Sequence, residues 1–113
     1  QGVLHGKLFE SMLPGATFIN TGRGAQVREG ELIDVLEKRP DLTALLDVTA
    51  PEPPLPDSTF YTLPNVQLSS HIAGAMNREV VRMADTVIEE FISWRDDRPL
   101  RYAVSLEQLE LMA

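Results

Sequence analysis

Helical spacing of apolar residues alternates along this chain with short, continuous apolar runs, and that alternation predicts the order of its elements. In "GKLFESMLPGA", Leu8, Phe9 and Met12 share one side of a short helix that Pro14-Gly15 stops. "ATFIN" follows as a short β-prone strand and gives way to the turn-rich "NTGRGAQ". Over residues 28–39, "REGELIDVLEKR" sets Leu32, Val35 and Leu36 on one helical face and charges on the other, and Pro40-Asp41 ends it. "LTALLDV" reads as a second buried strand and "VQLSS" as a third. Between them lies "TAPEPPLPDSTFYTLPN", with five of the chain's eight prolines. The fixed φ of proline makes this a rigid, extended loop, and Phe60, Tyr61 and Leu63 within it argue against a domain linker.

A long helix is predicted over residues 78–95, where Val80, Ala84, Val87, Ile88, Phe91 and Trp94 recur at helical spacing, with Asn77 as its N-cap and "DDRP" as its end. Leu106, Leu109 and Leu111 predict a short terminal helix. Helices between successive strands imply parallel pairing through crossovers, hence an α/β fold. Three strands make a small parallel sheet, so the expected architecture is the C-terminal half of a doubly wound, Rossmann-type domain with a long C-terminal helix and tail.

Composition narrows the function. At 113 residues the chain has the size of one small domain. A formal charge of −7, with ten Lys and Arg scattered among seventeen acids, leaves no basic stripe for nucleic acid. No apolar run reaches the roughly 18 residues of a spanning helix, and "QGVLHGK" lacks a signal-peptide core, so no membrane partner is expected. The absence of cysteine excludes a disulfide framework, a thiol nucleophile and a thiolate metal site, and fits a reducing, cytoplasmic location. No metal site is expected. The chain opens on Gln1, as a piece of a longer protein would.

In doubly wound sheets the ligand crevice lies beyond the carboxyl ends of the strands. The first strand ends at "NTGRG" and places Arg23; the second ends at "LDV" and places Asp47, with Glu52 shortly after; the third ends at "SSH" and places His71. Singly, each has an ordinary structural explanation as a turn, cap or surface residue. Delivered together to one edge, they form a set with a use. Arg23 offers a planar fork for a carboxylate, His71 a proton donor or acceptor near neutral pH, and Glu52 a partner that orients the imidazole. Such a set suits chemistry on a 2-oxo or 2-hydroxy acid.

"LPGATFINTGRGAQVREGELIDVLEK", "ALLDVTAPEPP" and "LPNVQLSSHIAGA" together resemble the C-terminal half of the D-isomer-specific 2-hydroxyacid dehydrogenases. The resemblance implies an NAD(P)-dependent oxidoreductase, a homodimer when full length, that interconverts a small D-2-hydroxy acid and a 2-oxo acid by hydride transfer. It implies Arg23 as the substrate-binding arginine, Glu52 as the partner of the histidine and His71 as the catalytic acid/base. Thr21, Gly22, Arg23, Asp47, His71, Ala73 and Gly74 match positions beside the cofactor, Asp47 as the partner of the nicotinamide carboxamide. His5 matches nothing catalytic and is expected at the surface.

Gly22 stands where the family commonly has Ala or Ser, Ser70 where it has Pro, Thr49 where it has an aromatic residue and Arg28 where it has an acid. None of these removes a catalytic group. No G-x-G-x-x-G occurs, nor the residue after it that selects a cofactor, so either NAD or NADP fits. The resemblance makes residues 1–113 the second half of a cofactor-binding domain, with 96–113 a tail returning to a substrate domain that lies outside the chain. An alternative on the same scaffold is a dinucleotide-sensing, corepressor-like binding protein without physiological turnover. A third reading is a structural half-domain kept for its dimer surface.

Overall fold

A computed structural model describes residues 1–111. Its elements are α1 (Gly6–Glu10), β1 (Thr17–Asn20), α2 (Glu29–Lys38), β2 (Thr43–Leu46), β3 (Val66–Leu68), α3 (Arg78–Arg95) and α4 (Leu106–Leu111). Short 3-10 turns occupy Gly24–Gln26 and Thr59–Tyr61. The chain divides into two compact units, Gln1–Gly74 and the segment from Ala75 onward.

The first unit is an α/β layer of the Rossmann kind. Its strands pair in parallel in the order β1-β2-β3, with Phe18 opposite Ala44 and Leu46 opposite Leu68. Because side chains alternate across a strand, Phe18, Ala44, Leu46, Val66 and Leu68 share one face. That face meets Leu32, Val35 and Leu36 of α2 and Phe9 of α1 in a single core. Phe9 and Phe18 meet edge-on, with ring centroids 5.0 Å apart. Side chains buried to this degree stabilise by about 1.5–3 kcal/mol each. On the opposite face Ile19 stays 60% exposed.

The Asn65 amide donates to the carbonyls of Leu36, Arg39 and Leu42, so the open C-terminal end of α2 is tied to the start of β3. This fixes where β3 begins, and so where its far end delivers His71.

The strands are shorter than the apolar runs that predicted them. β2 ends at Leu46 and β3 at Leu68, although the N–H groups of Asp47 and Ser69 still reach the carbonyls of Asn20 and Leu46 on the neighbouring strands, at 2.9 and 3.0 Å. His5, expected at the surface, is half-buried at the start of α1.

In the second unit α3 spans the predicted range, and Val80, Val87, Ile88, Phe91 and Trp94 along it are all exposed. Asn77 does not act as a side-chain cap. Its φ of 51° departs from the extended backbone that aims a capping oxygen at the first N–H groups of a helix. The Glu90 carboxylate accepts the N–H groups of Arg101 and Tyr102, drawing the tail back along α3. Ser105 and Gln108 cap α4 reciprocally, each side chain accepting the other's N–H. Among the described residues no helix is long and apolar enough to cross a membrane.

Candidate active site

The carboxyl ends of β2 and β3 lie side by side, and the residues leaving them interlock. Asp47 follows β2 directly and is 5% exposed. Its Oδ1 accepts the Ser69 hydroxyl and the Ile72 N–H (2.9 Å), and its Oδ2 accepts the Ala73 N–H at 2.8 Å. These three donors hold the carboxyl below the usual aspartate range, the Ser69 hydroxyl contributing most.

His71 sits inside the turn that Asp47 grips. Its φ is 56°, in the left-handed region that costs a non-glycine residue about 1–3 kcal/mol and persists only where its surroundings over-determine it. Bonds from Asp47 to Ser69 on one side of His71 and to Ile72 and Ala73 on the other do so here.

The same turn brings Nδ1 of His71 to 2.7 Å from Oε1 of Glu52. Glu52 comes from the proline-rich loop, which is fixed at several points. Glu29 at the start of α2 accepts the Ala50 N–H at 2.7 Å, Thr49 Oγ1 donates to the Pro51 carbonyl at 2.8 Å, and the Tyr61 hydroxyl donates to the Pro54 carbonyl at 3.2 Å. Partial burial pushes the Glu29 carboxyl up, and the Ala50 N–H opposes that shift. With Nδ1 engaged, Nε2 is the imidazole nitrogen left for a ligand. Both side chains remain nearly half-exposed, at 46% for His71 and 41% for Glu52. A cavity of about 260 Å³ opens beside them, lined also by Asp47, Thr49, Ser69 and Ser70.

Arg23 leaves the end of β1 and is absent from that cavity's wall. Its Nη1 donates to the Gly22 carbonyl at 2.8 Å, and its loop is pinned by Gly24. A Cβ at Gly24 would lie 2.1 Å from the backbone carbon of Thr49, so only glycine lets the loop after β1 rest on the loop after β2. That contact joins the loop carrying Arg23 to the loop carrying Thr49. Gly22 is under no such constraint: its nearest neighbour for a Cβ is Gln26 Oε1 at 3.4 Å, so the family's usual Ala or Ser would fit.

Thr21 and Gly22 are exposed on the same loop, and Ala73 and Gly74 are exposed just past His71. Asp47, Glu52 and His71 thus form one cluster and Arg23 a neighbouring arm. Asn20, Gly24 and Ser69, which hold these groups in place, were not singled out from the sequence. Asn20 carries a visible signal, a polar residue closing an apolar strand, whereas the constraints on Gly24 and Ser69 arise only from contacts between loops.

Residues 1–73 match the family model described as D-isomer specific 2-hydroxyacid dehydrogenase, NAD binding domain. The chain is 31% identical over 102 residues to D-3-phosphoglycerate dehydrogenase of Archaeoglobus fulgidus, covering 90% of this chain and 19% of that protein. It is 40% identical over 85 residues to glyoxylate/hydroxypyruvate reductase B of an Enterobacter species, covering 75% and 26%. Among solved structures, the NADPH-dependent glyoxylate/hydroxypyruvate reductase of Sinorhizobium meliloti, in complex with NADP and sulfate, superposes with a TM-score of 0.78 at 30% identity, over 93% of this chain and 34% of that one. D-lactate dehydrogenase of Lactobacillus jensenii, with NAD+, gives 0.77 at 25% identity, over 93% and 36%. The chain therefore spans between about a fifth and a third of the length of these relatives. By fold and sequence, it belongs to the D-isomer specific 2-hydroxyacid dehydrogenase family, through the NAD-binding domain of that family.

Proposed function

We propose that the full-length protein carrying this chain interconverts a short D-2-hydroxy acid and its 2-oxo acid with NAD or NADP. The observation that carries this reading is the 2.7 Å contact between Glu52 and His71 on the wall of a small cavity at the carboxyl edge of a parallel sheet. The residues present fit the nicotinamide end of a dinucleotide. A Cβ at Gly74 would meet nothing within 4 Å, leaving open backbone beside His71. A carboxylate has about four acceptor sites; three at Asp47 are filled by the chain, leaving one for an amide N–H. A phosphate cradle is not among these residues, since the chain holds no glycine-rich turn of the G-x-G-x-x-G kind.

When bound, the reduced nicotinamide supplies the hydride that reaches the oxo carbon. Arg23 binds the substrate carboxylate through two parallel N–H bonds. His71 gives its Nε2 proton to the carbonyl oxygen, which becomes the hydroxyl, and takes it back in the reverse direction. Glu52 holds the ring by Nδ1 and so keeps Nε2 turned to the substrate. The cavity volume suits a short acid, and similarity to glyoxylate/hydroxypyruvate reductases supports testing glyoxylate and hydroxypyruvate first. The test is turnover of a panel of 2-oxo acids by the full-length protein with NADH and with NADPH. Turnover of at least one member supports the reading; tight cofactor binding without turnover of any would overturn it in favour of a dinucleotide-sensing protein.

A further inference from the structure

Asn20 is the last residue of β1 and is 6% exposed. A buried amide at a strand end must place both its acceptor and its donors. Its Oδ1 accepts the Gly22 N–H at 3.1 Å, and its Nδ2 donates to the Arg23 carbonyl at 3.3 Å. The Gly22 carbonyl in turn accepts from Nη1 of Arg23 at 2.8 Å. One buried side chain therefore holds Arg23 at its backbone directly and at its guanidinium through Gly22. The backbone carbonyl of Asn20 also accepts the N–H of Asp47 at 2.9 Å, and Asp47 grips the turn that carries His71. Asn20 is thus bonded to both halves of the site and lines neither.

We infer that Asn20 is a positioning residue that fixes the Arg23 guanidinium relative to the Glu52–His71 pair. The inference rests on the proposed role of Arg23 in holding the substrate carboxylate. Both bonds lost in Asn20→Ala are part-buried and end on residues that are themselves exposed, so the expected consequence falls on the geometry of Arg23 as well as on folding.

The test is a double-mutant cycle in the full-length protein, reading KM and kcat for the 2-oxo acid. Asn20→Ala is expected to raise KM about tenfold with a smaller fall in kcat, and to change KM less than about twofold in an Arg23→Ala background, where nothing is left to position. An equal factor in both backgrounds would make Asn20 a structural residue only and overturn the inference. Should Asn20→Ala fail to fold, Asn20→Asp enters the same cycle, since it keeps an acceptor for Gly22 and loses the donor to Arg23. If Arg23→Ala itself leaves KM unchanged, the proposed role of Arg23 fails and this inference with it; a large Arg23→Ala effect with additive behaviour at Asn20 overturns the inference alone.

Discussion

Oε1 of Glu52 lies 2.7 Å from Nδ1 of His71, although the two residues come from different loops at the ends of neighbouring strands. Glu52→Gln leaves an oxygen that can accept from Nδ1, so the ring can keep its orientation while the charge-assisted hydrogen bond to it is lost. In the full-length protein this variant is expected to lower kcat for 2-oxo acid reduction with little change in KM. Steady-state kinetics check the split, and wild-type kcat would show that Glu52 is an exposed loop residue without a part in the chemistry.

Asp47 predicts a pH dependence of stability. Its carboxyl titrates below the ordinary aspartate value of 3.8 because the Ser69 hydroxyl and the N–H groups of Ala73 and Ile72 favour the charged form. A depressed folded value gives a contribution fully present above the unfolded value and lost as pH falls through the folded one. The difference in thermal midpoint between wild type and Asp47→Asn should therefore be constant near neutrality and shrink only below the ordinary aspartate range. A difference independent of pH down to strong acid would mean that the three bonds do not depend on ionisation.

Gly24 makes a prediction about packing. Backbone atoms of Thr49 occupy the space a Cβ would need, so Gly24→Ala must push the loops after β1 and β2 apart, at a cost of about 1–3 kcal/mol or more. Gly22→Ala, two residues away, meets only an ordinary contact and should fall within about 0.5 kcal/mol of wild type. Denaturant midpoints of the two variants compare them directly, and equal midpoints would contradict the contact.

Residues 1–113 alone should bind NADH weakly. The pyrophosphate of a dinucleotide is neutralised by backbone N–H groups at a helix start after a glycine-rich turn, and this sequence has none. Calorimetry giving micromolar affinity for the isolated chain would show that the nicotinamide end suffices.

The sequence made the order of elements plain because each helix repeats its apolar residues at the helical period and each strand is a compact apolar run. The range of α3 followed from that period and from the stop at "DDRP". Its cap did not, since Asn77 takes a positive φ that composition does not mark. Arg23, Asp47 and His71 were legible as polar residues at strand ends, and Glu52, in the loop after β2, as the carboxylate able to orient the imidazole; the family resemblance gave the pair the same roles. Asp47, read as a partner for a nicotinamide amide, also holds the His71 turn through three bonds. The roles of Gly24 and Ser69 exist only once separate loops meet, whereas the Asn20 side chain bonds within its own loop and carries a mark in the sequence, a polar residue closing an apolar strand.

The proposed reaction requires His71 to move the proton that accompanies hydride transfer to a 2-oxo acid. Single-turnover loss of NADH absorbance in the full-length protein, wild type against His71→Gln, tests it most directly. A fall of about 10²–10⁴ in the rate of that step is expected, with cofactor affinity retained. A single-turnover rate unchanged by the substitution would contradict the account.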